Sequence, residues 1–273
     1  MLFPVLGLAQ MESSGLLKPK PKPKPTPAVS TVRWQNYGKL TLPVDANKDG
    51  VADDIQASEL DTYSSSYFYA TKAGQKTSEG YSAANGETVF WAPVNGGGKT
   101  KSTDTVRSEL REQLTLGKDG DNWSIEGTHI QTGTVRVTKL PKAKVSGAPV
   151  KTIVAQIHVF NSNSPPLKLQ FSSSSAEGTV VYAIYNDSPT RNGYSISPKI
   201  KMALKESFTY ELKMADGIMT TKVNGQLLNT RDMRANWSNS RFYFKAGNYV
   251  QNTTKEATGN AEVVYSALTV THN

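Results

Sequence analysis

Seven stretches of this chain alternate polar with apolar residues, or run apolar, over five to ten positions. They are TVRVTKL (134–140), TIVAQIHVF (152–160), LKLQF (167–171), TVVYAIY (179–185), FTYELKM (208–214), RFYFKAG (241–247) and AEVVYSALTV (261–270). All are rich in Val, Ile, Thr, Tyr and Phe and are separated by Gly, Ser and Asn turns, the pattern of strands. Asn224-Gly225, between GIMTTKV and QLL, is a two-residue hairpin turn. Helix signals reduce to one short candidate in IQASELDTY (55–63), and no internal repeat is present. Strands of this number can hide their apolar parity only against another sheet, so an all-β sandwich or jelly roll of two antiparallel sheets is expected.

The ends of the chain read differently. MLFPVLGLAQ resembles the end of a secretory signal with cleavage after Ala9, although it is short and lacks a basic leading region. KPKPKPKPTP (18–27) is an extended polyproline II spacer of roughly 30 Å at about 3.1 Å per residue. Residues 1–28 are therefore expected to be a signal remnant and linker, with one folded domain over 29–273, secreted from the cell. The formal charge is +8, of which the first 27 residues hold +3. A basic surface suits a polyanion, although on charge alone ordinary solubility charge is the plainer reading. The basic residues beyond the tail are not clustered with a recognition motif, so nucleic acid is not an expected partner. No run reaches the length of a membrane-spanning helix, and a monomer is expected.

Three segments place polar groups on one parity of a strand, where consecutive side chains point to opposite faces. In RSELRE, Arg107, Glu109 and Arg111 share a face, the two arginines about 13 Å apart at ~3.3 Å per residue. Glu109 would hold both guanidiniums, and a salt-bridged outer face is the plain alternative. In TIVAQIHVF, Gln156 and His158 point the same way from a well-covered strand, a costly placement unless they find partners. In RFYFKAGNYVQN (241–252), Tyr243, Lys245, Gly247, Tyr249 and Gln251 oppose Phe242, Phe244, Ala246, Asn248 and Val250. Gly247 marks close approach by a ligand or another backbone.

Glycoside hydrolysis usually needs two facing carboxylates, and no such pair is evident; Glu109 between arginines is a poor general acid. β-Elimination on a uronic acid fits better. Loss of the C5 proton builds charge onto the adjacent carboxylate, which Arg107, Gln156 and His158 can neutralise. Tyr249 can serve as base or acid, its phenol activated by nearby cations. No metal or organic cofactor is required.

RSELRE, QIH and YFKAGNYVQ, in that order on strands, resemble the three signature regions of polysaccharide lyase family 7, the alginate lyases. The likeness spans roughly Gln35 to Thr271. It implies a concanavalin-like, lectin-type β-jelly roll with a concave substrate groove. It implies catalytic roles for Arg107, Gln156, His158 and Tyr249, and substrate-binding roles for Glu109, Arg111, Tyr243, Lys245 and Gln251. The implied activity is endo-acting β-elimination of 1,4-linked mannuronate and guluronate chains, an anionic polysaccharide, giving 4,5-unsaturated non-reducing ends. A lyase on another polyuronate such as glucuronan, or a non-catalytic polysaccharide-binding module, are the alternatives. The family motif usually closes aliphatic-Tyr-Asn-Gln; here it is Asn248-Tyr249-Val250-Gln251, with Val250 expected to face the core.

Two further segments are weighed. DANKDGVADD (45–54) has calcium-loop spacing but Gln56 at the twelfth position, so a turn-rich acidic loop is expected. NGGGK (95–99) is expected to be a hairpin loop and a possible flap at the groove. Trp34, Trp91, Trp123 and Trp237 are expected mostly in the core or at its rim.

Overall fold

The structure, a computed structural model, describes residues 37–101, 103–190 and 194–273. The Lys-Pro tract, the apolar start and Trp34 lie outside the described residues. The described residues form two large antiparallel sheets, a small two-stranded one and two four-residue helices, Ala57–Leu60 and Arg234–Trp237. The fold is the expected jelly-roll sandwich.

The first sheet carries the site. From one edge to the other its main path runs Tyr194–Ile196, Gly178–Asn186, Leu167–Ser174, Val150–Val159, Phe242–Val250, Arg107–Glu112, Tyr37–Thr41 and Asp54–Gln56. The second runs Gln226–Asp232, Ile218–Val223, Phe208–Ala215, Thr128–Lys139, Asn260–His272, Thr88–Pro93 and Phe68–Ala70. Asn224 and Gly225 both take positive φ, 49° and 77°, as a two-residue hairpin of this twist requires.

The apolar parity of each strand faces the other sheet. Phe242, Phe244, Ala246 and Val250 are fully buried there with Leu110, Ile157, Phe90, Val263 and Leu268. Trp123 and Trp237 join this core, whereas Trp91 is half-buried and donates its indole N–H to Glu79 at 3.1 Å. Asn248 is the polar exception on the core parity. Its Nδ2 donates to the Phe90 and Ala261 carbonyls of the opposite sheet, at 3.1 and 2.8 Å, and its Oδ1 accepts from the Thr152 hydroxyl at 2.7 Å. A buried amide with three partners carries no desolvation debt, and it pins the strand beneath Tyr249 to the second sheet.

The acidic loop at 45–54 is a turn stitched by its own carboxylates. Asp45 accepts from the Asp49 and Gly50 N–H groups, and Asp49 accepts from Val51. Among the described residues no cluster of three or more metal-ligating side chains is present. NGGGK departs from expectation. It belongs to a connection from Thr88–Pro93 in one sheet to Arg107–Glu112 in the other, so it is not a hairpin. Cβ atoms built on Gly96 and Gly98 would lie 2.5 Å from the Pro43 carbonyl oxygen and 2.2 Å from that of Val44, so this loop packs on neighbouring backbone.

Candidate active site

Strand pairing brings the three polar segments onto one face. Phe242–Val250 lies between the other two strands: Lys245, Gly247 and Tyr249 pair with Arg111, Glu109 and Arg107, and Tyr243 and Lys245 pair with His158 and Gln156. Directly paired residues project to the same side of a sheet. Nothing local to any of the segments encodes this adjacency.

Glu109 is the hub. Its side chain is 1% exposed, and Oε2 lies 2.5 Å from Lys245 Nζ and 3.2 Å from Arg107, while Gln156 Nε2 donates to Oε1 at 2.5 Å. Burial alone would raise this carboxyl; the Lys245 and Arg107 charges and the Lys245 and Gln156 hydrogen bonds outweigh it and hold Glu109 below its usual range. Burial lowers Lys245, against the pull of Glu109. One carboxylate among two cations leaves a local excess of positive charge for an anionic ligand. Arg107 Nε, buried, has no hydrogen-bond partner among the described residues.

The sequence reading had Glu109 holding both arginines. It holds only Arg107. Arg111 turns the other way, donating to the Glu112 and Asp119 carbonyls and to Asn122, with the Asp119 carboxylate at 3.3 Å. With the two arginines roughly 13 Å apart along the strand, one carboxylate does not hold both, and the partners around Asp119 take Arg111.

Tyr249 lies under Arg107, whose guanidinium carbon is 3.6 Å from the ring centroid, and its hydroxyl is 3.1 Å from that of Thr103. Burial would raise this phenol, but the Arg107 charge and hydrogen bonds from Thr103 and Thr105 bring it below its ordinary value. A phenol so placed gives up its proton more readily than free tyrosine. Tyr243 stacks on His158 with centroids 5.1 Å apart, and the Arg111 guanidinium carbon lies 4.0 Å from its ring centroid. His158 Nδ1 is 2.9 Å from the Val159 N–H and 3.0 Å from the Tyr243 hydroxyl, which leaves Nε2 for the groove. Burial, helped by the Lys245 charge, lowers this imidazole to about 3. The ring is thus neutral at ordinary pH, although part of it remains solvent-accessible. A cavity of about 340 Å³ lined by Arg107, Arg111, His158, Tyr243 and Lys245 opens on this cluster.

The structure decides between the two readings of Gly247 and places Gln251. A Cβ on Gly247, at φ 146°, would lie 2.5 Å from the Ser108 carbonyl oxygen, 2.8 Å from Glu109 Cα and 3.0 Å from Phe90. The close approach is made by the neighbouring strand and the core, and it holds Glu109 in place. Gln251 follows Tyr249 beyond the strand, its amide donating to the Val250 carbonyl at 3.3 Å, outside the Glu109 hub. Thr103, Thr105 and Lys168 were not singled out from sequence. The threonines sit in an irregular loop, and Lys168 is one polar residue in an ordinary alternation; only its pairing with Gln156 puts it in the groove.

The model of the alginate lyase family matches residues 36–272 of this chain. An alginate lyase of Klebsiella pneumoniae is 25% identical over 281 residues, covering 85% of this chain and 87% of that protein. Alginate lyase A1-II′, of polysaccharide lyase family 7, superposes with a TM-score of 0.71 at 29% identity, over 87% of this chain and 95% of that one. An alginate lyase of Pseudomonas aeruginosa gives 0.70 at 27% identity, over 87% and 98% of the two chains. Variants of A1-II′ have been crystallised in complex with substrate and with product.

Proposed function

This chain belongs to the alginate lyase family and is a polysaccharide lyase acting on alginate, and we propose that it cleaves within the polymer by β-elimination at the Tyr249–Arg107–Glu109 cluster. The observation that carries the assignment of residues is Tyr249 itself: a phenol lowered by a guanidinium lying over its ring, beside a hub with surplus positive charge.

The carboxylate of the sugar to be cleaved sits against Arg107, Gln156 and His158. Tyr249 takes the C5 proton; the electron pair becomes the C4=C5 bond, and the C4–O4 bond breaks. Charge accumulates on the carboxylate as the C5–H bond breaks, and fixed donors there lower the barrier without reorganising. Protonation of O4 completes the step and leaves a 4,5-unsaturated non-reducing end.

In mannuronate the C5 proton and O4 lie on the same side, so one residue can take the first proton and return it to the second. In guluronate they are opposed, and His158 would have to act as the base. An imidazole lowered to about 3 is a weak base, whereas Tyr249 is activated. Mannuronate cleavage therefore needs Tyr249 alone, whereas guluronate cleavage calls on His158 as well. Internal cleavage is supported by the position of the cluster in mid-sheet, with strands on either side to carry further sugars. The Lys-Pro spacer supports a secreted enzyme.

Incubation with mannuronate blocks, guluronate blocks and glucuronan, followed by ultraviolet absorbance of the new double bond, tests this reading. Absorbance growth on the alginate blocks, with an early fall in viscosity, is expected. Glucuronan as the sole substrate would assign the site to another polyuronate, and absorbance without loss of viscosity would assign exo-cleavage.

A further inference from the structure

Most cations on the groove face already have an anion. Lys39 pairs with Asp54 and Asp119, Arg107 and Lys245 with Glu109, and Arg111 with Asp119. Lys168 is different: among the described residues it has no ion pair and no side-chain hydrogen bond. It pairs in register with Gln156, so it shares the groove face, two strand spacings or about 9.6 Å from Lys245. Its side chain is partly buried, which lowers the ammonium, and the charges of Tyr249, Arg107 and Glu109 reach it. A partly buried cation with no direct ion pair is costly, and an incoming anion in contact with it reduces that cost.

The next strand supplies an apolar surface beside it. Tyr182 is diagonal to Lys168, since Gln170 pairs with Tyr182 and Lys168 with Ile184. The phenol is held by a hydrogen bond from the buried Gln170 amide and by Lys199, 5.2 Å from the ring centroid. A half-buried ring fixed in this way offers the kind of surface on which a pyranose lays its C–H groups.

We propose that Lys168 and Tyr182 form a further uronate-binding subsite, the ammonium on the carboxylate and the phenol ring on the sugar, for a unit displaced from the cleaved one toward the Gly178–Asn186 strand. This rests on the alginate reading and adds to it a residue that binds without touching the reacting atoms. It gives the enzyme a reason to prefer chains long enough to span both the hub and Lys168.

The test is Lys168→Met, Lys168→Arg and Tyr182→Leu in the full chain. Steady-state kinetics on polymeric alginate are followed with the pH profile of kcat and thermal unfolding. Loss of one partly exposed charge-assisted hydrogen bond predicts a KM raised about tenfold in Lys168→Met, with kcat changing far less and its pH profile unmoved. Lys168→Arg should recover most of the affinity, and Tyr182→Leu should raise KM about threefold. Because Lys168 makes no ion pair among the described residues, the Met variant should unfold close to the parent temperature. An unchanged KM overturns the proposal. So does a fall in kcat with a displaced pH profile, which would make Lys168 a partner of Tyr249, or a lowered unfolding temperature, which would make it structural. Failure of the parent chain to produce any unsaturated product from alginate would instead overturn the functional reading beneath it.

Discussion

Replacing Glu109 by Gln removes the carboxylate that Lys245, Arg107 and Gln156 share. The shape is kept, so the effect is electrostatic. Lys245 at 2.5 Å and Arg107 at 3.2 Å would then face each other across a neutral amide, in a site where the carboxylate was 1% exposed. Breaking a buried pair by removing one partner costs about 3–5 kcal/mol, because the remaining charge is uncompensated. For a domain of this size that corresponds to a fall of about 6–20 °C in Tm, at roughly 2–4 °C per kcal/mol. Chemical denaturation at neutral pH measures the loss. Adding Lys245→Met to Glu109→Gln should restore part of it, roughly 1–2 kcal/mol, since the stranded ammonium is removed with its partner. A loss below about 1 kcal/mol in the single variant, or a double variant no better than the single, refutes the hub as drawn.

Gly247→Ala meets the Ser108 carbonyl oxygen at 2.5 Å and requires φ near 146°, so overpacking and backbone strain together should cost about 2–5 kcal/mol. Denaturation measures this, and activity should fall further than stability because the displaced backbone carries Glu109. His158 sits below its unfolded value, so the unfolded chain binds a proton that the folded state refuses. Its contribution to stability is therefore present above pH ~6.5 and is lost as pH falls toward about 3. Discounted for the exposed part of the ring, this amounts to about 1 kcal/mol between pH 6.5 and pH 5, and His158→Gln should flatten that much of the pH–stability curve. His129, also lowered by burial, is common to both proteins and cancels in the difference.

Much of the fold could be read from period-two patterns because each strand has one buried face. Thr152–Phe160 was expected and Val150–Val159 is found; Phe208–Met214 was expected and Phe208–Ala215 is found. TVFWAP (88–93) escaped notice, being a short apolar run with no alternation to mark it. The site residues were legible as odd polar groups on strands, but their partners were not. Glu109 with Lys245, Arg111 with Asp119 and Lys168 beside Gln156 are adjacencies created by strand pairing between distant segments. Asn248 shows the limit from the other side. Its place on the core parity looked like a departure in the motif, and the structure makes it the amide that ties two sheets together. Its partners are carbonyls of residues 90 and 261, and no reading of the motif alone supplies those.

The central claim is that Tyr249 moves the proton. Turnover of alginate by Tyr249→Phe, followed by ultraviolet absorbance of the unsaturated product alongside binding of intact polymer and thermal unfolding, tests it most directly. The phenyl ring keeps its stack under Arg107 and loses only the hydroxyl, so binding and Tm should stay close to the parent while turnover falls by about 10²–10⁴-fold. Turnover within tenfold of the parent, in a variant that folds and binds, would contradict the account.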